Sequence, residues 1–277
     1  MTDLQENTPA IWRKSFPFPT AESHKYSRGS ALIRGGPLMT GATRLAARAA
    51  QRVGAGLVTL AAPTSALFIY AESLESVIVR PCDTREDWQK LIDNEHHPAL
   101  LMGPGLGLLH PDEILASLAA RRPTVLDADA LTAFSGKAET LFRNLHAACV
   151  LTPHEGEFTR LFGPIDGDKI TRARQAAQRA GCTILLKGAE TIIAAPDGAA
   201  LINRTSSPWL ATAGSGDVLA GIILGLVAQK MDPFLAAASA AWLHGRIGTQ
   251  HGPGLIAEDI VAGIPAILQE IIAVPAA

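Results

Sequence analysis

Short apolar runs that alternate with helical stretches constrain the fold of this chain more than any other feature. From about Thr40 onward, runs rich in Val, Ile and Leu are separated by stretches of helical period, and Gly, Pro, Asp or Ser marks each junction. Most runs are apolar throughout, which is typical of strands in a parallel sheet covered by helices on both faces. The runs are 57–61, 76–79, 99–102, 124–126, 149–151, 183–186, 191–194 and 200–202. We therefore predict an α/β fold with a mostly parallel central sheet.

The segments between and after these runs have the period of helices. The predicted helices are 41–53, 83–93, 111–121, 155–162 and 170–180, followed by 214–229, 233–250 and 257–272. The last two strands are separated by a turn that contains Asp197-Gly198, so we predict an antiparallel hairpin there.

The domain organisation is predicted to be simple. The chain has no Ser/Gly-rich linker and no break in composition. Residues 26–277 are therefore expected to form a single domain. The preceding arm, residues 1–25, carries Trp12, Phe16 and Phe18 among prolines, and we expect it to pack on a neighbouring subunit.

Composition excludes several classes of protein. With 48% hydrophobic and 18% charged residues the chain is globular, and a net charge of −2 supplies no basic field for nucleic acid, so small molecules are the expected ligands. The longest apolar run, 218–228, is shorter than the ~20 residues that span a bilayer. Residues 1–14 lack the basic start and apolar stretch of a secretory signal, which predicts a cytoplasmic protein. The three cysteines are in no disulfide or zinc spacing, which favours buried thiols.

The residues directly after the strands are the first candidates for a site, because ligands of open α/β sheets bind beyond the carboxyl ends of the strands. Gly103-Pro104-Gly105-Leu106-Gly107 follows one run, and its backbone either approaches a ligand closely or only makes a tight turn. Asp127 and Asp129 follow the next run. We expect Asp129 to cap a helix and Asp127 to face a cation or a hydroxyl group.

A histidine and two carboxylates occur at the predicted start of a helix, in Thr152-Pro153-His154-Glu155-Gly156-Glu157-Phe158. Glu155 and Glu157 suit this position because acidic side chains complement the dipole at a helix N-terminus. Ligand binding and a purely structural role are equally compatible with His154. The segment offers no third ligand nearby, which argues against a zinc site.

Lys187 stands at the end of a buried strand. Such a lysine costs desolvation free energy unless it meets an anion or opens to solvent. Two interpretations of Lys187 remain: it faces a phosphate, or it only packs through its aliphatic stem.

The most specific motif is Ala213-Gly214-Ser215-Gly216-Asp217, which leads into a long apolar helix. The small residues leave the first amide hydrogens of the helix free to bind an anion. Asp217 in such a place either caps the helix or accepts the proton of a hydroxyl group that attacks a phosphate, and the glycine flanks favour the second role. Neither a GxxxxGK[ST] loop nor a GxGxxG fingerprint after the first strand occurs, so nucleotide binding uses another scaffold.

The glycine-flanked Asp217 resembles the phosphoryl-transfer signature of the ribokinase-like superfamily. Taken in order with the motifs at 103–107, 127–131, 151–158 and 186–191, it is similar to the ADP/ATP-dependent NAD(P)H-hydrate dehydratases. Gly41-Ala42 and Gly54–Thr59 also look like that family's first helix and strand. The resemblance covers roughly residues 26–268, and one departure is minor, since many members have Thr where Ser215 stands. It implies a three-layer αβα ribokinase-like fold.

The resemblance implies a repair lyase that acts on hydrated NADH or NADPH. In that family ADP or ATP phosphorylates the ring hydroxyl, phosphate leaves, and the reduced dinucleotide is restored. Many relatives are fused to an epimerase domain, and this chain is expected to have no room for one. We therefore expect this chain to handle only the S epimer and to depend on a separate NAD(P)H-hydrate epimerase.

Site residues follow from the resemblance by motif position. Asp217 would be the catalytic base, and Gly214, Ser215 and Gly216 would hold the transferring phosphate. The residues implied to bind the nucleotide are Lys187, Gly188, Ala189, Glu190, Thr191 and Gly216. Those implied to bind the hydrated dinucleotide are Ala42, Gly105, Gly107, His154 and Asp217. A magnesium ion that bridges the phosphates is expected from the chemistry, and its ligands are not assigned.

Two alternatives use the same motifs. One is a ribokinase-like kinase of a thiazole or pyrimidine alcohol, which would keep its phosphorylated product; the segment around His154 argues against it. The other is a regulator that binds nucleotide without chemistry; the intact Asp217 argues against it. Apolar stretches in the last helices and the family resemblance predict a homo-oligomer, specifically a tetramer.

Overall fold

The computed structural model describes residues 5–94, 99–107 and 110–273. Over these ranges the strands are β1 (Gln5–Glu6), β2 (Ser30–Arg34), β3 (Leu57–Ala62), β4 (Ile78–Pro81), β5 (Ala99–Met102), β6 (Thr124–Leu126), β7 (Cys149–Leu151), β8 (Thr183–Leu186), β9 (Thr191–Ala194) and β10 (Ala200–Asn203). The helices are α1 (Pro9–Trp12), α2 (Thr40–Arg52), α3 (Leu67–Ser73), α4 (Arg85–Ile92), α5 (Pro111–Ala119), α6 (Asp129–Thr132), α7 (Ala138–Phe142), α8 (Glu155–Phe162), α9 (Lys169–Ala180), α10 (Ser215–Ala228), α11 (Pro233–His251) and α12 (Ala257–Ala273). Short 3-10 turns cover Arg13–Ser15, Thr64–Ala66 and Pro208–Leu210.

The strands of the described ranges form one sheet, in the order β1-β10-β9-β8-β7-β6-β5-β2-β3-β4. The neighbours pair in parallel except at β9, which is antiparallel to both β8 and β10. The predictions of a mostly parallel sheet and of a hairpin at 191–202 are confirmed. The carboxyl ends of all these strands except β9 therefore lie along one edge of the sheet.

Helices cover both faces of the sheet, which gives three layers with one apolar core on each face. Successive strand residues point to opposite faces: Ile33 and Leu101 belong to one core, whereas Leu32 and Leu100 belong to the other. Helices α2, α10, α11 and α12 cover the first face, and α4, α5, α8 and α9 cover the second. The αβα prediction is confirmed. Among the described helices, none is both long enough and apolar enough to cross a membrane.

One central strand was absent from the prediction. Strand β2 lies between β5 and β3, yet its sequence, Ser30-Ala31-Leu32-Ile33-Arg34, has polar residues at both ends. Arg34 is only 3% exposed and is paired with Glu113 of α5, with Nε 2.8 Å from Oε2. A buried ion pair from a distant helix makes this strand compatible with the core, and local patterning does not reveal that partner.

The described part of the N-terminal arm packs on its own chain. β1 pairs in parallel with β10, and Trp12 is fully buried, 5.8 Å from the ring of Trp242 in an edge-to-face arrangement. Residues 5–12 therefore extend the sheet and pack on α11. Residues 1–4 lie outside the described residues, and the division into an arm, 1–25, and a domain, 26–277, stays a prediction.

A close contact between α2 and α10 fixes the position of the Gly214–Asp217 motif. A Cβ atom placed on Gly221 would lie 2.3 Å from the carbonyl oxygen of Ala46, so the two helix backbones meet directly. At Gly41, also in a helix, a Cβ atom would meet nothing within 4 Å. The same substitution should therefore have opposite effects at the two positions.

We expect Gly221→Ala to lower the free energy of unfolding by about 1–3 kcal/mol, because the helices must move apart. Gly41→Ala should instead raise it by up to about 1 kcal/mol through helix propensity. Urea denaturation followed by circular dichroism measures both values. Equal effects of the two substitutions would contradict the close packing of α10 on α2.

Candidate active site

Three loops at the carboxyl edge of the sheet converge on the start of α10. Asp127 follows β6, Pro153 and His154 follow β7, and Lys187 follows β8. Because these strands are neighbours in parallel, their loops lie side by side. A Cβ atom placed on Gly216 in the first turn of α10 would lie 3.4 Å from Lys187 Nζ and 4.0 Å from Asp127 Oδ2. Residues that are far apart in the sequence thus form one cluster.

Lys187 is the cation of this cluster. Its Nζ lies 2.8 Å from Asp127 Oδ1 and 3.9 Å from Glu157 Oε2, and both carboxylates are buried. Burial lowers the pKa of Lys187, but the nearby carboxylates of Asp127 and Glu157 outweigh it, so the pKa is raised overall. Lys187 is therefore charged at neutral pH. The sequence left open whether Lys187 faces phosphate or packs through its stem, and it did not reveal Asp127 as the ion-pair partner.

Asp217 is the third residue of α10 and is half-buried. Burial raises its pKa to about 7, and the carboxylate of Asp127 adds to the rise, while Lys187 opposes it. Among the described residues, no side chain caps this helix, whose N-cap is Gly214 with φ +86°. A carboxylate of raised pKa beside uncapped helix amides is suited to accept a proton next to a bound anion.

Ser215 is held in place by a histidine that sequence reasoning missed. His244 of α11 is buried, and its Nε2 lies 2.9 Å from Ser215 Oγ and 3.0 Å from the Ser215 carbonyl oxygen. Burial lowers the pKa of His244 to about 4, so the ring is neutral. His244 lies inside an alanine-rich helix and has no motif around it, so the sequence carries no signal for this contact.

A cleft of about 700 Å³ opens beside Lys187 and the start of α10. One wall comes from the β8–β9 turn, a second from residues 203–212, and the floor from α10 and α11. The cleft is lined by His154, Glu155, Lys187, Gly188, Ala189, Thr191, Asn203, Thr205, Ser206, Ser207, Pro208, Leu210, Ala211, Thr212, Ser215, Gly216, Leu219, Ala241, His244 and Gly245. Most residues predicted to bind nucleotide are in this set, whereas residues 203–212 carry no motif and were not predicted.

Glu190, although predicted to bind nucleotide, directs its carboxylate elsewhere. Its Oε1 accepts a hydrogen bond from Arg204 Nε at 2.9 Å, and the backbone carbonyl oxygens of Lys187 and Glu190 accept hydrogen bonds from Lys169 Nζ. Lys169 thus supports the β8–β9 turn from α9. Its own salt-bridge partner, Glu155, lies on the cleft wall.

His154 has a structural role that the structure makes explicit. It is the N-cap of α8: its Nδ1 accepts hydrogen bonds from the amides of Gly156 and Glu157, and Glu157 Oε2 accepts one from the His154 amide. The His154 side chain is also about half-exposed and lines the cleft. Capping through Nδ1 and contact with a ligand are therefore compatible.

Ala42, Gly105 and Gly107, predicted to bind the hydrated dinucleotide, lie outside the cleft. Gly105 packs against the backbone of Met39, just before α2, and α2 meets the start of α10 where Leu45 contacts Gly214. Gly105 therefore lies near the side of α10 that faces α2.

The expectation that Asp129 caps a helix is wrong. The N-cap of α6 is Ala128, and Asp129 Oδ2 instead accepts a hydrogen bond from the amide of Gly107 at 2.8 Å. Asp129 therefore ties the loop after β5 to the loop after β6. A helix of a single turn left the carboxylate free for this longer-range contact.

The carboxylates of this site would bind a magnesium ion together with the phosphate oxygens of a substrate. Within 5–94, 99–107 and 110–273, no three potential ligands of the His, Cys, Asp or Glu type converge on one point. Magnesium usually takes one or two carboxylates together with water and substrate phosphates. Asp127 has a carboxylate oxygen of that kind beside the first turn of α10.

Comparison with known proteins identifies the family of this chain. The family model described as NAD(P)H-hydrate dehydratase matches residues 31–265. The chain belongs to the NAD(P)H-hydrate dehydratase family. An ADP-dependent (S)-NAD(P)H-hydrate dehydratase of Neisseria meningitidis is 37% identical over 81% of this chain and 77% of its own length. Two bifunctional NAD(P)H-hydrate repair enzymes, of Salinibacter ruber and Moorella thermoacetica, are 37% and 38% identical over 96% and 95% of this chain.

The chain spans about half the length of these bifunctional relatives, 53% and 54%. Solved structures of similar fold cover it almost completely. An ADP/ATP-dependent NAD(P)H-hydrate dehydratase of Bacillus subtilis, co-crystallised with ATP and magnesium, has a TM-score of 0.81 at 29% identity and covers 98% of this chain and 100% of its own. A ribokinase-like superfamily protein of Enterococcus faecalis has a TM-score of 0.84 at 26% identity, over 98% and 97% of the two chains. The expected NAD(P)H-hydrate dehydratase family and ribokinase-like fold are confirmed.

Proposed function

We propose that this dehydratase-family chain uses ADP or ATP to dehydrate the S epimer of hydrated NADH or NADPH, which restores the reduced dinucleotide. The observation that supports this most is the placement of Asp217, with a pKa of about 7, beside Lys187 at the uncapped start of α10. A phosphoryl-transfer site combines a base for the attacking hydroxyl group with an anion hole and a cation that stabilise the transferring phosphate.

In the first step the carboxylate of Asp217 takes the proton from the hydroxyl group on the hydrated ring. The hydroxyl oxygen then bonds to the terminal phosphorus of the nucleotide as the bond to the bridging oxygen breaks, which yields AMP from ADP or ADP from ATP. Hydroxide is a poor leaving group and phosphate a good one. The ring nitrogen therefore expels phosphate with the C–O electron pair, and loss of a proton from the neighbouring carbon restores the double bond.

The residues around Asp217 would stabilise the negative charge of the phosphate during this transfer. The amides of Gly214 and Gly216 would bind the transferring phosphate, whereas the Ser215 amide already donates to the Thr212 carbonyl oxygen and Ser215 would contribute through its hydroxyl, which is held by His244. Lys187 would offset the negative charge that develops on the phosphoryl oxygens. A magnesium ion, when bound, would neutralise phosphate charge, with Asp127 as its candidate protein ligand.

The two substrates would bind on opposite sides of the start of α10. We assign the nucleotide to the cleft, where Lys187, Gly188, Ala189, Thr191 and Gly216 lie, and the hydrated dinucleotide to the side near α2. Glu190 would contribute through its backbone, because its carboxylate is engaged with Arg204.

An enzyme that interconverts the hydrate epimers is the pathway partner we propose, because similar proteins are named bifunctional NAD(P)H-hydrate repair enzymes. We also propose that the protein is a cytoplasmic homotetramer. Large apolar side chains that are strongly exposed would suit contacts between subunits: Leu38, Met39, Phe68 and Ile256.

The test of the proposed function incubates pure protein with hydrated NADH, magnesium and either ADP or ATP. We expect recovery of the absorbance of reduced nicotinamide, together with one phosphate per NADH and AMP or ADP in equal amount. Omission of nucleotide is the control and should give no recovery. A stable phosphorylated product without NADH would favour a kinase, and no recovery with either nucleotide would refute the proposal.

The pH dependence follows from the raised pKa of Asp217. The base must be ionised to act, so kcat/KM should fall about tenfold per pH unit below about 7 and level off above it. Initial rates between pH 5.5 and 9 with saturating magnesium measure this profile. An inflection near pH 4, the ordinary range of an aspartate, would contradict the environment described for Asp217.

A further inference from the structure

A chain of buried hydrogen bonds joins the N-terminal arm to the wall of the cleft. Trp12 Nε1 donates to Asn7 Oδ1 at 3.1 Å, and Asn7 Nδ2 donates to Asn203 Oδ1 at 2.8 Å. Asn203 Nδ2 in turn donates to the carbonyl oxygen of Thr205 at 2.7 Å. The first two residues belong to the arm, and the last two line the cleft.

Burial holds these hydrogen bonds in one arrangement. Trp12, Asn7 and Asn203 are 0%, 1% and 2% exposed, so water does not compete for their polar atoms. Asn7 is held on all sides: its amide donates to the carbonyl oxygen of Ile202, and its Nδ2 also donates to that of Ala238 on α11. An asparagine with both ends of its amide satisfied has one orientation, and that orientation decides which atom it presents to Asn203.

The wall of the cleft depends on Asn203. β10 ends at Asn203, and Thr205, Ser206 and Ser207 follow as lining residues. α11 packs tightly on this segment, since a Cβ atom on Gly245 would lie 1.6 Å from the Thr205 carbonyl oxygen. That carbonyl is thus set between the backbone of α11 and the amide of Asn203, and a turned Asn203 amide would displace it.

We propose that Asn7 is a positioning residue of the nucleotide site, acting through the Asn203 amide on the wall formed by residues 205–207. Asn7 lies outside residues 31–265, the part that matches the family model, so the arm contributes to a site whose motifs all lie elsewhere. The inference rests on the proposed use of the cleft for ADP or ATP.

The decisive variant is Asn7→Asp, which keeps the size of the side chain and the acceptor for Trp12 but replaces the Nδ2 donor. We expect the dissociation constant for ADP to rise about five- to thirtyfold, since a buried hydrogen bond is lost. We expect kcat to change less than about twofold, because Asp217 and Lys187 are untouched. Phe16→Leu is the matched control: it removes buried volume beside the Trp12 ring but keeps every donor and acceptor of the hydrogen-bond chain, so it should lower thermal stability while leaving nucleotide binding unchanged.

A second variant keeps the proposal falsifiable where Asn7→Asp does not fold. Asn203→Asp retains the acceptor for Asn7 but loses the donor to Thr205, and it should weaken ADP binding at least as much with the arm intact.

Isothermal titration calorimetry with ADP gives these constants without turnover. Unchanged affinity in Asn7→Asp, unchanged affinity in Asn203→Asp, or equal weakening in Phe16→Leu would each overturn the positioning role while leaving the proposed function in place. Wild-type protein that binds neither ADP nor ATP would overturn the proposed function, and this inference with it.

Discussion

The Asp217→Asn variant is expected to lose turnover by about 10²–10⁴-fold, because an amide does not accept the proton of the substrate hydroxyl group. The variant should nevertheless fold more stably than the wild type at pH 8. The folded-state pKa of Asp217, about 7, lies above the ordinary value of 3.8. Ionisation therefore opposes folding, and this cost grows as the pH rises from about 4 through 7.

Asparagine never carries that charge, so it removes the cost. After allowance for the partial exposure of the side chain, we expect a gain of about 1–2 kcal/mol at pH 8. The gain should fade as the pH is lowered towards 4. Turnover of hydrated NADH and thermal unfolding at pH 8 and pH 4.5 measure the two effects.

Asp112→Asn is a matched control, since Asp112 is exposed in the first turn of α5 and should affect neither quantity strongly. Normal turnover of Asp217→Asn would show that Asp217 is only part of the helix start. Loss of turnover without a gain in stability would instead contradict the desolvated environment described for the carboxylate.

The largest loss of stability is expected for Lys187→Met. Methionine occupies similar space but leaves Asp127, 1% exposed, and Glu157, 7% exposed, without their shared cation. Removal of one partner from a buried ion pair costs about 3–5 kcal/mol, since the remaining charge stays desolvated. ADP affinity should fall as well, because two uncompensated carboxylates then face the phosphates.

Urea denaturation at pH 7.5 and calorimetry with ADP measure these changes. Lys90→Met, at an exposed lysine of α4, is the control and should change stability by less than about 0.5 kcal/mol. A Lys187→Met protein as stable as that control would refute the role of Lys187 as the cation of the cluster.

The strands of the sheet interior were predictable because of their burial. Ala99–Met102, Cys149–Leu151 and Thr183–Leu186 are buried on both faces, so almost every position must be apolar, and their predicted bounds match the observed ones. β2 escaped the same reasoning because Arg34 ends it, and Arg34 is buried only by virtue of Glu113, 79 positions away.

The candidate site divides in a similar way. Asp217, Lys187 and the glycines around them stand in motifs, since the chemistry of an anion hole demands small residues at fixed spacing near a helix start. His244, Asn7 and Asn203 stand in none. Each is placed by hydrogen bonds to residues far away along the chain, and such pairings leave no local pattern.

The sequence by itself determined the layered α/β fold, the order of the strand-end motifs and the candidate base and cation, because burial periodicity and motif spacing are local properties. Only the tertiary structure decided the pKa values of these groups and the residues that surround them. The pKa of Asp217 depends on burial and on Asp127, 90 positions away, and the cleft wall depends on an arm that precedes every motif. Electrostatic and hydrogen-bond energies are set by distance in space, and the fold, not the order of residues, supplies that distance.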